Sequence, residues 1–582
     1  MKRAMKTFFS IFKEVFAIAP GYVVIATFTQ VFDQLLSVVN IYVIQFVLNS
    51  IATSNSIYTI ILILFVSGVA YVFIEILKNH IKNITTPQYQ QKIQFELQRK
   101  VYAKAAAVDV VLYDTPGFYD QFALALQIDT YAITSAQNFS ALFGIICGIA
   151  ALTSLISSLQ PILVLVALGM AIVSTVFSSF SMKYQLQFVE KSISLDRRID
   201  YVSRCFYLPN FVKEIRIFPI AQLLENRHKE AFEQKSSLIV SKGKKQCAVG
   251  NLRSFFITFI TYSTMGMLAA NTISGKYLIG NFVALLNSVK YLNNNIEGVF
   301  QVLRQTYENT LYLEKYLDFM EFPDHKTKKT ANLIDAGISI VISDVSFKYP
   351  TASQYALKNI CMHISCGEIV AFAGTNGSGK STLIKLITGL YTPECGSIRI
   401  NNHAIDYYSY NDSHDIIGCV FQECQLLETT ILENVLFRPS CNREVDEEIA
   451  WKALEQVGMK ERVKKLSNGL YTQISKEFDP NGAVFSGGET QRIALSRIFT
   501  KPYKLIILDE PSNSLDKKTE GLFFKNIVSL PHRPTIIFIA HGRQELMYAE
   551  KIFFFESGEL TSVGTFDELA LQNRTFIKMY QQ

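Results

Sequence analysis

Between Gln34 and Ile74 the chain carries no Asp, Glu, Lys or Arg, and the same holds from Tyr131 to Met182 and from Ser254 to Gly275. Runs of this kind admit few folds. A bilayer-spanning helix needs about 20 predominantly apolar residues. The first two runs are too long for one span and too apolar for a loop in water. The first contains the turn-forming TSNS (Thr53 to Ser56) and the second SSLQP (Ser157 to Pro161), so each reads as the tip of a helical hairpin. The third run is followed by SGKYLIGNFVALLNSVKYL, which supplies its partner. Six spans are expected, at about 21–50, 57–79, 131–156, 161–183, 252–273 and 278–303.

Loop charge sets the orientation. The three tight turns carry only Lys276, whereas the N-terminus and the connections 80–130 and 184–251 are rich in Lys and Arg. Both termini and the long connections should be cytoplasmic, with helices running well past the bilayer. In the first segment, Phe8, Phe12, Val15 and Phe16 share a helical face, while Lys13 and Glu14 interrupt the apolar run that a signal peptide would need. The expectation is an amphipathic helix in the membrane interface. A net charge of +6 over 582 residues, with no basic tract, gives no reason to expect nucleic acid as a partner. Nine scattered cysteines without a CxxC pair read as reduced thiols.

Near residue 320 the character changes. A polar stretch over 321–336 reads as a linker between a membrane domain, 1–320, and a second domain, 337–582. In the latter, short apolar strands alternate with helical segments, the signature of an α/β fold around a largely parallel sheet. There EIVAFAGTNGSGKSTLIKLITGL is strand, glycine loop and helix, matching GxxxxGK[ST]. The loop runs from Gly374 through Thr375, Asn376, Gly377, Ser378 and Gly379 to Lys380, Ser381 and Thr382. Glycines let the backbone N–H groups turn toward phosphate oxygens at a helix start. Lys380 would neutralise the β- and γ-phosphates of ATP, and Ser381 would offer its hydroxyl to Mg²⁺. YKLIILDE ends in Asp509, a second metal ligand, and Glu510, a general base for water. Gln422 follows a strand and suits metal or water. His541 ends another and could touch the γ-phosphate, and Tyr349 could stack on a purine. A surface histidine, a turn glutamine and a core aromatic are the plain alternatives for these three.

A second glycine turn, VFSGGETQRIAL, opens a helix of its own between these motifs. One nucleotide needs one cradle, and the order of the motifs explains the other. Aromatic loop, phosphate loop, Gln422, glycine turn, DE pair, NSLD (Asn513 to Asp516) and His541 together resemble the nucleotide-binding domain of ABC transporters. With the six spans, the whole chain resembles an exporter half-transporter. The resemblance implies a P-loop NTPase domain behind an all-α membrane domain, in a multi-pass protein of the bacterial cytoplasmic membrane. It also implies that Ser486, Gly487, Gly488 and Glu489 serve an ATP held by a partner subunit, a second copy or a different chain. The turn reads FSGGE where the family has LSGGQ, so Glu489 places an extra negative charge near phosphate. KEFDPNG (Lys476 to Gly482) keeps only the last glycine of the family's usual TxVGExG-like stretch.

The stretches Val110 to Phe122 and Phe206 to Ile220 combine aromatics with turn formers. By resemblance they are coupling helices, which would carry closure of the ATP-binding domains to the membrane helices. The branch most similar exports bacteriocins, lantibiotics and other modified peptides, so a peptide-like cargo is expected. Lipid or drug export uses the same architecture, and a non-hydrolysing channel or sensor is disfavoured by Glu510 and His541. No protease domain precedes the first span, so processing of a cargo leader would occur elsewhere. Within the membrane region Lys290 and Glu297, one face of the sixth span, are candidate cavity residues. Asp33 and Glu75 lie toward the cytoplasmic ends of spans one and two. Interhelical pairing or snorkelling is the plain account of all four.

Overall fold

The computed structural model describes residues 2–53, 57–115, 117–324, 337–350, 352–405, 416–513 and 515–580. Most of the expected linker, part of the TSNS turn and Ser514 of NSLD lie outside them. The chain divides into two units, one of residues 1–106 and 119–322, the other of 107–118 and 323–582.

The first unit is helical throughout: α1 (Lys2–Ile18), α2 (Pro20–Ala52), α3 (Ile57–His80), α4 (Thr86–Ala107), α5 (Phe118–Ala125), α6 (Ile128–Leu159), α7 (Ile162–Tyr207), α8 (Pro209–Ile217), α9 (Ile220–Ile273) and α10 (Ile279–Met320). A π-helical turn joins α3 to α4. Among the described residues four segments, 20–52, 57–107, 128–159 and 162–189, are long and apolar enough to cross a membrane. The expected fifth and sixth spans also lie in single helices, α9 and α10. Their sequences, ITYSTMGMLAANTI and LLNSVKYLNNNIEGVF, are diluted by hydroxyl, amide and charged groups. With 54 residues, α9 is roughly 80 Å long at about 1.5 Å per residue, far more than a bilayer needs.

Close packing of α2, α6 and α10 follows from small side chains and amides. Along α6, Ala132, Ala136, Ser140, Gly144, Gly148 and Leu152 recur every fourth residue and are buried. A Cβ on Gly144 would stand 2.9 Å from the backbone of Gln30, and one on Gly280 would stand 2.3 Å from the carbonyl of Gln45. Such small-residue seams let helices approach where no hydrophobic drive separates protein from lipid. Amides then bridge them: Asn295 donates to Gln34 at 3.0 Å, and Gln45 and Asn49 both donate to Asn281, at 2.8 and 2.9 Å.

The charges expected to need a reason are mostly paired. Lys78 bridges Asp33 at 2.7 Å and Glu75 at 3.3 Å, and Arg253 bridges Glu297 at 2.6 Å. Lys290 is exposed on α10. On α1 the buried stripe is Thr7, Ile11 and Val15, continued by Ala19 just past its end, while Phe9 and Phe16 point outward. The amphipathic helix is there, turned slightly from the face read in the sequence, because the smaller Ile11 and Val15 fit against the bundle.

Among the described residues the second unit holds ten strands: β1 (Ile340–Phe347), β2 (Leu357–Ile364), β3 (Ile369–Gly374), β4 (Cys395–Ile400), β5 (His403–Ala404), β6 (Ile417–Val420), β7 (Leu505–Leu508), β8 (Thr535–Ile539), β9 (Lys551–Glu556) and β10 (Glu559–Gly564). β1, β2, β4 and β5 form an antiparallel sheet in the order β2-β1-β4-β5, and the others a six-stranded sheet ordered β10-β9-β3-β8-β7-β6. In the latter β3, β8, β7 and β6 are parallel. β3, β7 and β8 are buried on both faces, as parallel strands covered on both sides must be. Alternation along β3 sends Ala371 and Ala373 to one core and Val370 and Phe372 to the other.

The segment 107–118 belongs to this second unit. Val110 and Val111 pack against its core beside Tyr349, and Asp114 accepts a hydrogen bond from Tyr391. The other aromatic stretch forms α8, a nine-residue helix whose exit leaves Ile217 and Phe218 exposed.

Candidate functional site

β3 delivers the phosphate loop to the edge of the six-stranded sheet, and α11 (Lys380–Ile387) begins where the loop ends. The glycines are demanded by geometry. At Gly374, φ is +141° and a Cβ would lie 2.1 Å from the carbonyl of Phe555. Gly379, with φ +95°, leaves room only for a hydrogen against Leu357 and Ala356. Thr375, Asn376 and Gly377 are exposed, whereas Ser378, Lys380 and Thr382 are buried.

Lys380 is 5% exposed, and its ammonium donates to the carbonyls of Gly374 at 3.0 Å and Thr375 at 2.8 Å. Burial lowers its pKa against the opposing pull of Glu510 and Asp509. Folded back on its own loop, the ammonium sits where phosphate oxygens can replace those carbonyls. Ser381 donates to Asp509 Oδ1 at 3.1 Å. Burial raises the Asp509 carboxyl above the usual range, partly offset by that hydrogen bond. A buried carboxylate beside a hydroxyl at a phosphate loop is an oxygen donor set that suits Mg²⁺, which takes few protein ligands and completes its shell with phosphate and water. Among the described residues no cluster of three or more His, Cys, Asp or Glu forms a larger metal cage.

Glu510 has φ +52°, a left-handed backbone that costs a non-glycine residue roughly 1–2 kcal/mol. Gln491 secures it by donating to the Glu510 carbonyl at 3.2 Å. Its carboxylate is gripped from three sides. Gln422 donates at 2.6 Å to Oε2, Asn513 donates to the same oxygen, and His541 Nε2 lies 2.6 Å from Oε1. The three residues expected around the terminal phosphate are thus brought together. Tyr349 donates to or accepts from Thr382 Oγ1 at 3.1 Å, with Lys385 5.5 Å above its ring. That holds the ring beside the loop, as base stacking requires.

Ser486 caps the helix Gly487–Ser496. It accepts from the Glu489 N–H at 3.4 Å, while Glu489 accepts from the Ser486 N–H at 2.9 Å. Arg462 donates to the other Glu489 oxygen at 3.0 Å. The backbone bond from Ser486 is the main reason the Glu489 pKa is lowered, and Arg462 adds to it. The extra charge of the FSGGE turn is therefore locked into a capping box and neutralised. Among the described residues, no hydrogen bond joins Ser486 or Glu489 to the phosphate loop. A Cβ on Gly487 would meet nothing within 4 Å, which leaves that face open.

Three contributors were invisible to motif reading. Arg462 lies 27 residues before its partner. Glu545, 3% exposed, accepts from the His541 N–H at 2.9 Å and from Ser512, tying the strand carrying His541 to the turn after Glu510. Tyr580 accepts from the Gly374 N–H at 3.2 Å. Its place near the end of the chain carried no signal. Asn513 stood in NSLD, but its grip on Glu510 is a matter of three-dimensional proximity. Of the cavity candidates, Glu297 lines a space within the first unit and Lys290 is not among the residues around it.

A sequence profile described as ABC transporter matches residues 357–513. The chain is similar to the subtilin transport ATP-binding protein SpaT of Bacillus subtilis, 26% identical over 92% of this chain and 87% of that one. It is also similar to the nisin transport ATP-binding protein NisT of Lactococcus lactis, 25% identical over 98% and 95%. An ATP-dependent lipid A-core flippase of Photorhabdus laumondii is 26% identical over 83% and 82%. Among solved structures, a bacterial Atm1-family ABC exporter with ATP bound superposes with a TM-score of 0.79, covering 97% of this chain and 98% of that one at 18% identity. A helical apolar domain, a mixed-sheet domain with the phosphate loop, and these relatives lead to one reading: this chain joins an ABC transporter ATP-binding domain to a multi-pass membrane domain in an exporter fold, a build consistent with ATP-driven export.

Proposed function

We propose that the cargo is a peptide and that the working unit is a dimer, most simply of two copies, in the bacterial cytoplasmic membrane. In this reading six helices cross the bilayer from each subunit, and both termini face the cytoplasm. The peptide assignment is supported by two relatives named for transport of subtilin and nisin, matched over nearly their whole length. The dimer is supported by one observation above all. The Glu510 carboxylate is fully assembled with Gln422, Asn513 and His541 beside Lys380, yet the Ser486–Gly488 turn shares no bond with that loop. A second copy facing head to tail would supply it.

At each such site Tyr349 would stack on the base, and the N–H groups of Thr375 to Thr382 would hold the phosphates with Lys380. Ser381, Asp509 and Gln422 would hold Mg²⁺, which supplies charge neutralisation on the phosphates when bound. Glu510 would take the proton of the attacking water. Gln422 would orient that water, and His541 would steady both Glu510 and the γ-phosphate. The Ser486 hydroxyl and the N–H groups of Gly487 and Gly488 would meet that phosphate from the partner. Closure would pass to the membrane helices through the segment around Asp114 and through α8.

The test is Glu510→Gln in purified protein. It should bind ATP, hold a closed dimer detectable by cross-linking across the Ser486 turn, and release phosphate at least ~100-fold more slowly, the scale expected for loss of a general base. Unchanged turnover would remove Glu510 from this role.

A further inference from the structure

Within the first unit a cavity of about 760 Å³ opens between α1, α6, α7, α9 and α10. Its size is that of a small-ligand site, roughly 300–1,000 Å³. Phe9, Phe139, Phe177 and Phe300 give it an aromatic wall. Hydroxyl and amide groups of α7, α9 and α10 also line it, and three of its polar features bear most on what the cavity holds.

Asn138 lines the space, is 5% exposed, and among the described residues its Nδ2 has no hydrogen-bond partner. A buried amide donor left unpaired is destabilising, and an acceptor arriving with a ligand would satisfy it. Arg253 and Glu297, also in the lining, neutralise each other at 2.6 Å. Arg304 lines the cavity too, and among the described residues it forms no ion pair, not even with Glu308 one turn along α10. Two guanidiniums against one carboxylate leave the cavity one positive charge in excess.

We propose that this cavity binds the carboxyl-terminal end of an apolar peptide. Its side chains lie against the phenylalanines, a backbone carbonyl accepts from Asn138 Nδ2, and its terminal carboxylate pairs with Arg304. The inference rests on the peptide-export reading and deepens it. A peptide is favoured over a simple fatty acid because two groups of different kind, on α6 and α10, stand without a partner among the described residues. One is a neutral donor that wants a carbonyl, and the other a cation that wants an anion. This pair is met by one C-terminal segment and leaves the Arg253–Glu297 pair intact.

The experiment uses full-length protein in nanodiscs of zwitterionic lipid and a coumarin-labelled pentapeptide of leucine and phenylalanine, as free acid and as C-terminal amide. Fluorescence anisotropy reads binding. The free acid should bind roughly tenfold or more tightly than the amide, since a hydrogen bond to a charged group is worth about 1.5–3 kcal/mol. Arg304→Gln should abolish that preference and Arg304→Lys should retain part of it. Asn138→Leu should weaken both peptides about equally. Size-exclusion profiles and melting temperatures show that each variant is folded. Equal binding of acid and amide to the wild-type protein overturns the proposal, as does a preference that survives Arg304→Gln. Displacement of the peptide by oleate with loss of oleate binding, but not of peptide binding, in Arg304→Gln overturns it in favour of a lipid site. ATP-dependent peptide uptake into inside-out vesicles with an unaltered KM in Arg304→Gln also overturns the site while leaving peptide export standing. Absence of any peptide uptake with binding intact would instead sink the export reading.

Discussion

Glu545 offers the sharpest test of how the catalytic loops are held. It is 3% exposed, and burial raises its pKa from 4.5 to about 7. The nearby Glu520 charge raises it further, while the N–H groups of His541 and Gly542 pull the other way. The folded protein therefore binds this proton more tightly than the unfolded chain does. Stability is fully present below the unfolded pKa and is lost progressively as pH rises through the folded one. Between 4.5 and about 7 the loss amounts to about 3 kcal/mol, at about 1.4 kcal/mol per pH unit. Glu545→Gln removes the titration and keeps the shape. Its amide oxygen can accept from His541 and Gly542, and its amino group can donate to Ser512. The variant should exceed the wild type by about 3 kcal/mol at pH 8 and by less than about 1 kcal/mol at pH 5. For a domain of this size the former is a rise of about 6–12 °C in melting temperature. The chain has one tryptophan, Trp451, in the second unit. Its fluorescence on heating the solubilised full-length protein reports that unit alone. Equal melting of the two proteins at pH 8 would refute the assignment of a buried, charge-strained carboxylate.

Three further outcomes follow from the geometry. Arg462→Met should slow ATP turnover by roughly tenfold by exposing the Glu489 charge to the partner's phosphate, and adding Glu489→Gln should restore most of it, a coupling readable in a double-mutant cycle. Asp446, 1% exposed, accepts from Arg438 at 2.5 Å and from the N–H groups of Cys441 and Asn442, so Asp446→Ala should cost roughly 3 kcal/mol. These bonds, that from Arg438 foremost, hold its pKa down. Its stabilisation should therefore be present above the unfolded carboxylate pKa of about 4 and fade as pH falls, so acid melts of variant and wild type should converge. Gly280→Ala forces a methyl against the Gln45 carbonyl and should cost about 1–3 kcal/mol, seen as a lower melting temperature of the solubilised protein, with Gly266→Ala, a position open to space, as the unaffected control.

Much of the architecture was legible because it rests on short-range chemistry. Charge-free runs longer than one span force hairpins in lipid, and a glycine loop between an apolar strand and a helix has few uses other than phosphate. Asp509 and Glu510 stood out only beside that loop, since two acids closing a strand are by themselves more often helix caps. The helical part of α9 and α10 was readable, although their apolar windows are weaker than those of the first four helices; some of their polar side chains, Thr264, Ser288 and Asn295 among them, are buried within the bundle.

Other features depend on residues far apart in the chain. That the Glu489 charge is paired is decided by Arg462, and the Glu510 carbonyl is held by Gln491. Glu297 is spoken for by Arg253, whereas Arg304, which no motif distinguishes, is the cation left over in the cavity. Sequence alone determined which elements form and where the phosphate loop lies, since periodicity and backbone sterics act within a few residues. Tertiary structure decided which charges are paired and which remain available, because an electrostatic partner is chosen by distance in space and by shielding from water, and neither is written along the chain.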